Sequence, residues 1–158
     1  GGLLAYASGD SVRIRDTATR ELLAPELTGL RSQIYAVAFS PDGEMLAAAG
    51  CGYTDRYQGG CVYDALQLWR VGTRQRLGPS LIAPGEHLGD LAFSPDSKML
   101  VSGSRKRDLV FWDLDADSWR DRACRIANRS FSAMEARRYL GESVASGVCM
   151  HANPQKPD

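Results

Sequence analysis

The chain lacks an excess of charge of either sign: of its 158 residues, 19 are Lys or Arg and 19 are Asp or Glu. That balance argues against a strongly basic nucleic-acid surface and against an acidic solvating tail, so no nucleic-acid partner is expected. Long apolar runs are missing too. The longest, such as AVAF and MLAAA, are only a few residues and too short to cross a bilayer as a helix. No membrane partner is expected, and no segment has the basic start, apolar core and cleavage site of a signal peptide. Cysteine is sparse: Cys51, Cys61, Cys124 and Cys149 are too few for a disulfide scaffold in a chain of this length. No pair has C-x-x-C spacing, and His87 and His151 stand apart from them, which leaves zinc with little support. The expectations are reduced thiols, a cytoplasmic location, and no metal or cofactor. No nucleophile elbow or phosphate loop is present either, so the chain is not expected to be an enzyme.

What the sequence has is repetition. AFSPDG at residues 38–43 returns as AFSPDS at residues 92–97, 54 positions further on. An alternating apolar run precedes each copy (IYAVAF, LGDLAF) and a second apolar run follows it (MLAAAG, MLVSGS). Between them lies Pro-Asp-Gly or Pro-Asp-Ser. Proline presets φ at the first turn position, and the aspartate can bond its own downstream backbone, so each copy reads as a β-hairpin. A third run completes the pattern: LQLWR at 66–70, LVFWD at 109–113, and VRIRD at 12–16 after LLAYASG.

Spacing extends the unit to four strands. Asp16 precedes Phe39 by 23 residues, and Arg70 precedes Phe93 by the same 23, room for one more strand in RELLAPELTG and RQRLGPSLIA. Leu3 and Arg15 are 12 apart, as are Leu100 and Trp112, whereas Leu46 and Trp69 are 23 apart. The middle unit therefore carries an 11-residue insertion between its second and third strands. Ten strands are predicted, grouped three, four and three: 3–8, 11–16, 21–27, 34–40, 45–50, 65–71, 76–83, 88–94, 99–104 and 109–114.

The series AFSPDG, then LA(S/A)G, then L-x-(L/F)-W-D resembles the WD-repeat family over roughly 3–114. FWD at 111–113 matches the signature; LWR keeps only the Trp and IRD only the Asp. The resemblance implies a mainly β fold, a partial β-propeller of about two and a half four-stranded blades followed by two short C-terminal helices. It also implies a non-catalytic protein-interaction scaffold or sensor, with a protein or peptide partner on the upper propeller face. The alternative is an architectural or autoinhibitory cap for an attached NTPase, protease-like or kinase effector, and a propeller enzyme ranks below both. The family's blade-stabilising network of His, Ser, Asp and Trp is incomplete. Gly29-Leu30 and Ala83-Pro84 stand at the Gly-His positions, and His87 falls three residues late. Ser102 and Trp112 match, but Lys106 replaces the Asp. Apolar packing of Phe39, Phe93, Trp69 and Trp112 is expected to carry the blades.

The insertion, CGYTDRYQGGCVYD at 51–64, concentrates Tyr53, Arg56, Tyr57 and Tyr63 in one loop. Tyrosines bury much area at low entropic cost, so these four are the candidate partner contacts; the alternative is an extended hairpin whose tyrosines pack on neighbouring blades. Cys51 and Cys61 flank the loop and can face each other across it, as thiols. Arg105, Lys106 and Arg107 occupy the matching connection of the last blade and could meet an acidic partner, unless they form only a solvated turn.

From Asp117 the period changes from 2 to 3.6. A helix over 118–128 is predicted, capped by Ser118 with Asp121 and docked on the propeller through Trp119 and Ile126, with Ala123 and Ala127 on the same face. A second is predicted over 132–140, opened by Ser132 with Glu135 and ended at Gly141. ACRIANRSFSAMEARRYLG resembles the helical tail of many bacterial multidomain WD-repeat signalling proteins, but Ala136 stands where a Trp is usual and a Pro-Tyr pair is missing near Val144 and Ala145. The expected divisions are propeller blades over 1–116, a helical appendage over 117–141 and a polar, disordered tail over 142–158, with Cys124 and Cys149 close enough to meet if the tail folds back. Starting at a second strand and lacking a last fourth strand, the chain is expected to be a piece of a larger propeller whose N-terminal blades are a natural partner.

Overall fold

The computed structural model describes residues 2–55, 60–83, 88–104 and 109–127. The chain divides into two compact units, Gly1–Leu114 and Asp115–Asp158. Ten strands lie in the first: β1 (Leu3–Ser8), β2 (Ser11–Asp16), β3 (Leu22–Thr28), β4 (Ile34–Phe39), β5 (Met45–Thr54), β6 (Cys61–Arg70), β7 (Leu81–Ile82), β8 (Leu88–Phe93), β9 (Met99–Ser104) and β10 (Leu109–Asp113). They form three antiparallel sheets ordered β1-β2-β3, β4-β5-β6-β7 and β10-β9-β8. The expected grouping of three, four and three is the one observed.

The repeated turn explains why the hairpins recur. Ser40 Oγ donates to Asp42 Oδ1, which also accepts the Glu44 N–H at 2.9 Å, while the Met45 N–H reaches Ser40 Oγ at 2.8 Å. The second copy repeats each bond: Ser94 Oγ to Asp96 Oδ1, Lys98 N–H to Asp96 Oδ1 at 3.2 Å, and Met99 N–H to Ser94 Oγ at 2.9 Å. The last turn position is left-handed in both, at Gly43 (φ 73°) and at Ser97 (φ 60°). Ser97 bears that backbone cost while its Oγ accepts the Asp42 N–H at 3.2 Å, joining the two turns.

Alternation along the middle sheet builds two cores. Leu46, Ala48, Ala65 and Trp69 face the first sheet and pack with Val12, Ile14, Leu27, Leu30 and Ile34. Ala47, Ala49, Leu66 and Leu68 face the third sheet and pack with Leu88, Leu100 and Ala83, with Trp112 and Phe93 against them. Successive side chains point to opposite faces of a strand, so a sheet buried on both sides reads as an unbroken apolar run. Pro25 sits in β3, an edge strand, where a missing N–H costs no ladder bond.

Three strands differ from the sequence reading by more than one residue. Expected strands 45–50 and 65–71 are in fact Met45–Thr54 and Cys61–Arg70, because most of the insertion extends the hairpin ladder instead of looping out. The strand expected over 76–83 shrinks to Leu81–Ile82 plus one bridge between Trp69 and Arg76.

In the second unit, α1 (Ala116–Ala127) begins two residues before the expected 118. Its cap is Asp115, whose Oδ1 accepts the Asp117 N–H at 3.0 Å and whose carbonyl accepts the Trp119 N–H at 3.1 Å. Ser118 therefore lies inside the helix and cannot be its N-cap. Trp119 and Ile126, expected on one apolar face, are 59% and 80% exposed, and Cys124 is buried. The second helix (132–140) and the polar tail (142–158) lie outside the described residues.

Candidate functional site

Extending β5 and β6 brings Tyr53 opposite Tyr63 in register. Their rings stack at 5.9 Å between centroids and 17° between planes, the offset arrangement aromatic pairs favour. Tyr53 is exposed, as is Val62 beside its partner. The Asp55 N–H donates to the Gly60 carbonyl at 3.0 Å and closes the described part of the hairpin. Arg56 and Tyr57 lie outside the described residues, and so do Arg105, Lys106 and Arg107. Of the seven residues expected to meet a partner, the structure thus places two, and places them together.

At the root of this extension Cys51 and Cys61 are joined by a disulfide with Cα atoms 5.7 Å apart. The expectation of free thiols is corrected: Cys51 stands opposite Asp64 and Cys61 opposite Thr54, and the register shifts between those pairs accompany the close approach of the two cysteines. Cys124 is disulfide-bonded as well; Cys149 lies outside the described residues. Cys51 is 1% exposed, and its strand is fixed by two backbone bonds to the loop after β3, Cys51 N–H to Gln33 O at 3.0 Å and Arg31 N–H to Cys51 O at 3.2 Å. The close approach requires glycine at 50, where a Cβ would stand 2.6 Å from Gln33 O and 2.9 Å from Ile34 Cα.

Two features escaped the sequence reading. The first is an open cleft of about 640 Å³ beside the hairpin root, lined by Ala7, Gly9, Asp10, Arg31, Gln33 and Ile34 among others. Gly9, Asp10, Arg31 and Gln33 are loop residues without a motif, and Ala7 and Ile34 are strand residues, so only the fold gathers them. The second is Asp64, 1% exposed, whose Oδ2 accepts the Leu88 N–H and ties β6 to the next sheet. Its Oδ1 lies 3.2 Å from Cys61 Sγ, so Cys51, Cys61 and Asp64 form one cluster with donor atoms within 4.8 Å of one another. An acid preceding an apolar run is a hint of this, but its burial depends on the neighbouring sheet.

The remnant of the expected polar network is visible as well. Trp112 Nε1–H donates to Ser102 Oγ at 2.9 Å. Ala48 occupies the position in the middle sheet equivalent to Ser102, and there Trp69 Nε1–H turns instead to the Thr28 carbonyl at 3.3 Å on the first sheet.

Residues 24–56 and 80–113 match the family model of the WD domain, G-beta repeat. Each match starts in the last strand of one sheet and continues into the next sheet, the second as far as its third strand. The first stops at 56, where the extended hairpin delays the third strand to Cys61. WD repeats generally mediate protein interactions and scaffolding, and the family is generally non-enzymatic. No curated protein matches the chain.

Proposed function

We propose that the chain is a protein-interaction module, its sheets acting as propeller blades that present the β5–β6 hairpin to a protein or peptide partner. The stacked Tyr53–Tyr63 pair carries this reading. A disulfide at the root and a paired ladder hold the two rings in place, so little conformational entropy remains to be lost when a partner covers them. The adjoining cleft supplies Asp10, Arg31 and Gln33 for polar contacts beside an aromatic anchor. The upper propeller face is the one this hairpin would occupy.

The outer faces of the end sheets suit further blades: Met99, Leu109 and Phe111 on one, and Leu4 and Leu22 on the other, are exposed apolar side chains. A larger ring is consistent with that. The finer reading, the WD-repeat part of a bacterial signalling protein, rests on the tail resemblance over 123–141. A cytoplasmic location conflicts with a permanent Cys51–Cys61 disulfide, since such bonds are rare in reducing compartments.

The test replaces both tyrosines. A binding peptide is selected from a displayed library on the intact chain and titrated into wild type and a Tyr53→Ser, Tyr63→Ser variant. Losing an aromatic anchor costs about 2 kcal/mol or more, about thirtyfold in affinity, while the melting profile should stay near wild type. Unchanged affinity in a folded variant would leave the hairpin a structural strut and the role of the chain architectural.

A further inference from the structure

The cluster of Cys51, Cys61 and Asp64 has a feature the disulfide does not explain. Asp64 is 1% exposed, and one of its oxygens is accounted for by the Leu88 N–H. The other meets Cys61 Sγ at 3.2 Å, and a disulfide sulfur carries no hydrogen to donate. Among the described residues no N–H or O–H reaches that oxygen. A buried carboxylate oxygen set against a disulfide sulfur, with no donor among the described residues, is costly.

From this geometry we propose that the three residues are a redox-gated metal site: closed as a disulfide when oxidised, and a binding site for a d10 divalent cation of the zinc type when reduced. The step balances. A dithiol reductant delivers two electrons and two protons, the Cys51–Cys61 bond breaks to two thiols, and the dithiol leaves as its own disulfide. Cation binding then displaces the two thiol protons to water, because the thiolate is the ligand form.

Donor spacing and donor type select the ion. A tetrahedral site with bonds of about 2.3 Å to sulfur and about 2.0 Å to oxygen puts its donor atoms roughly 3.3–3.8 Å apart. The Cys61 sulfur and the Asp64 oxygen already lie 3.2 Å apart, and all three donor atoms fall within 4.8 Å. Two thiolates with one carboxylate favour zinc over the hard cations magnesium and calcium, which require oxygen donors. Three protein ligands leave a fourth position for water. The ligands are well anchored: Cys51 and Asp64 are directly opposite in the β5–β6 ladder, and Asp64 is oriented by its bond to Leu88. The site stands independently of the interaction reading, since it concerns the inside of the hairpin root and not its tyrosine surface.

Cobalt(II) is the probe, because its thiolate charge-transfer absorption reports sulfur ligation directly. The whole chain is reduced with a dithiol, desalted without air and titrated with cobalt. The reduced chain should bind about one cobalt with charge-transfer absorption, displaced by zinc, and the oxidised chain should show none. Cys51→Ser and Cys61→Ser should each abolish the absorption. Asp64→Asn keeps an oxygen for Leu88 and should weaken binding by about tenfold or more. Its fold is checked in the oxidised form, where the disulfide still holds the hairpin. The proposal is overturned if the reduced chain binds no cobalt, if Asp64→Asn binds with unchanged affinity, or if the absorption survives without Cys51 and disappears in Cys124→Ser.

Discussion

At the level of single residues, the two Ser-x-Asp turns make a pH prediction. Asp42 and Asp96 are both held below the ordinary carboxylate range, first by the hydroxyl of Ser40 or Ser94 and then by a backbone N–H. A carboxylate with a folded pKa below its unfolded one contributes stability that is complete above the unfolded value and is lost as pH falls through the folded one. Melting temperature should therefore decline as pH drops below about 4, and an Asp42→Asn, Asp96→Asn variant should show a flatter profile over the same range. A variant profile as steep as wild type would place the acid sensitivity elsewhere. Ser102 gives a second prediction. It is fully buried and receives the Trp112 indole N–H, so Ser102→Ala should cost about 1–2 kcal/mol in a denaturant titration. These turns were legible in the sequence because their chemistry is local: serine, proline and aspartate act on backbone within five residues. Asp64 was not legible, because its burial depends on Leu88, which is 24 residues away.

Among the elements, the β5–β6 hairpin shows where spacing stops informing. Counting residues located the insertion and its length, but could not tell a loop from a longer ladder. Gly52, Tyr53 and Tyr63 decided it by permitting bulged pairing beyond Cys51. Gly50 makes this testable. Its Cβ position is filled by the backbone of Gln33 and Ile34, which cannot swing aside as a side chain can. Gly50→Ala should cost about 1–3 kcal/mol and loosen the loop after β3; a melt within experimental error of wild type would contradict that approach. The tail helix supplies the contrasting case. A period of 3.6 correctly announced a helix, yet amphipathicity did not say which face would be covered. Trp69, 1% exposed between two sheets, should cost about 3–5 kcal/mol on change to Ala. Trp119, 59% exposed, should cost well under half of that. Comparable losses at the two positions would show that the Trp119 indole is buried as deeply as that of Trp69.

For the molecule as a whole, the repeat led to a stack of sheets because each middle strand is apolar on both faces and must be covered twice. The same logic fails to close at the ends of the stack. Met99, Leu109 and Phe111 on the third sheet are at least 41% exposed, as are Leu4 and Leu22 on the first. Among the described residues, no strand pairs with the outer edge of β10. An apolar face beside an open strand edge is a template for another sheet. The two end faces differ in sequence, so contact between copies would join unlike surfaces and need not stop at a dimer. The isolated chain should therefore elute above its monomer mass in size-exclusion chromatography with light scattering, increasingly so at higher concentration. Placing charge on the third sheet with Met99→Lys and Phe111→Lys should return it towards monomer without loss of β signal in circular dichroism. A wild-type chain that stays monomeric at high concentration and melts cooperatively would show that these faces need no cover.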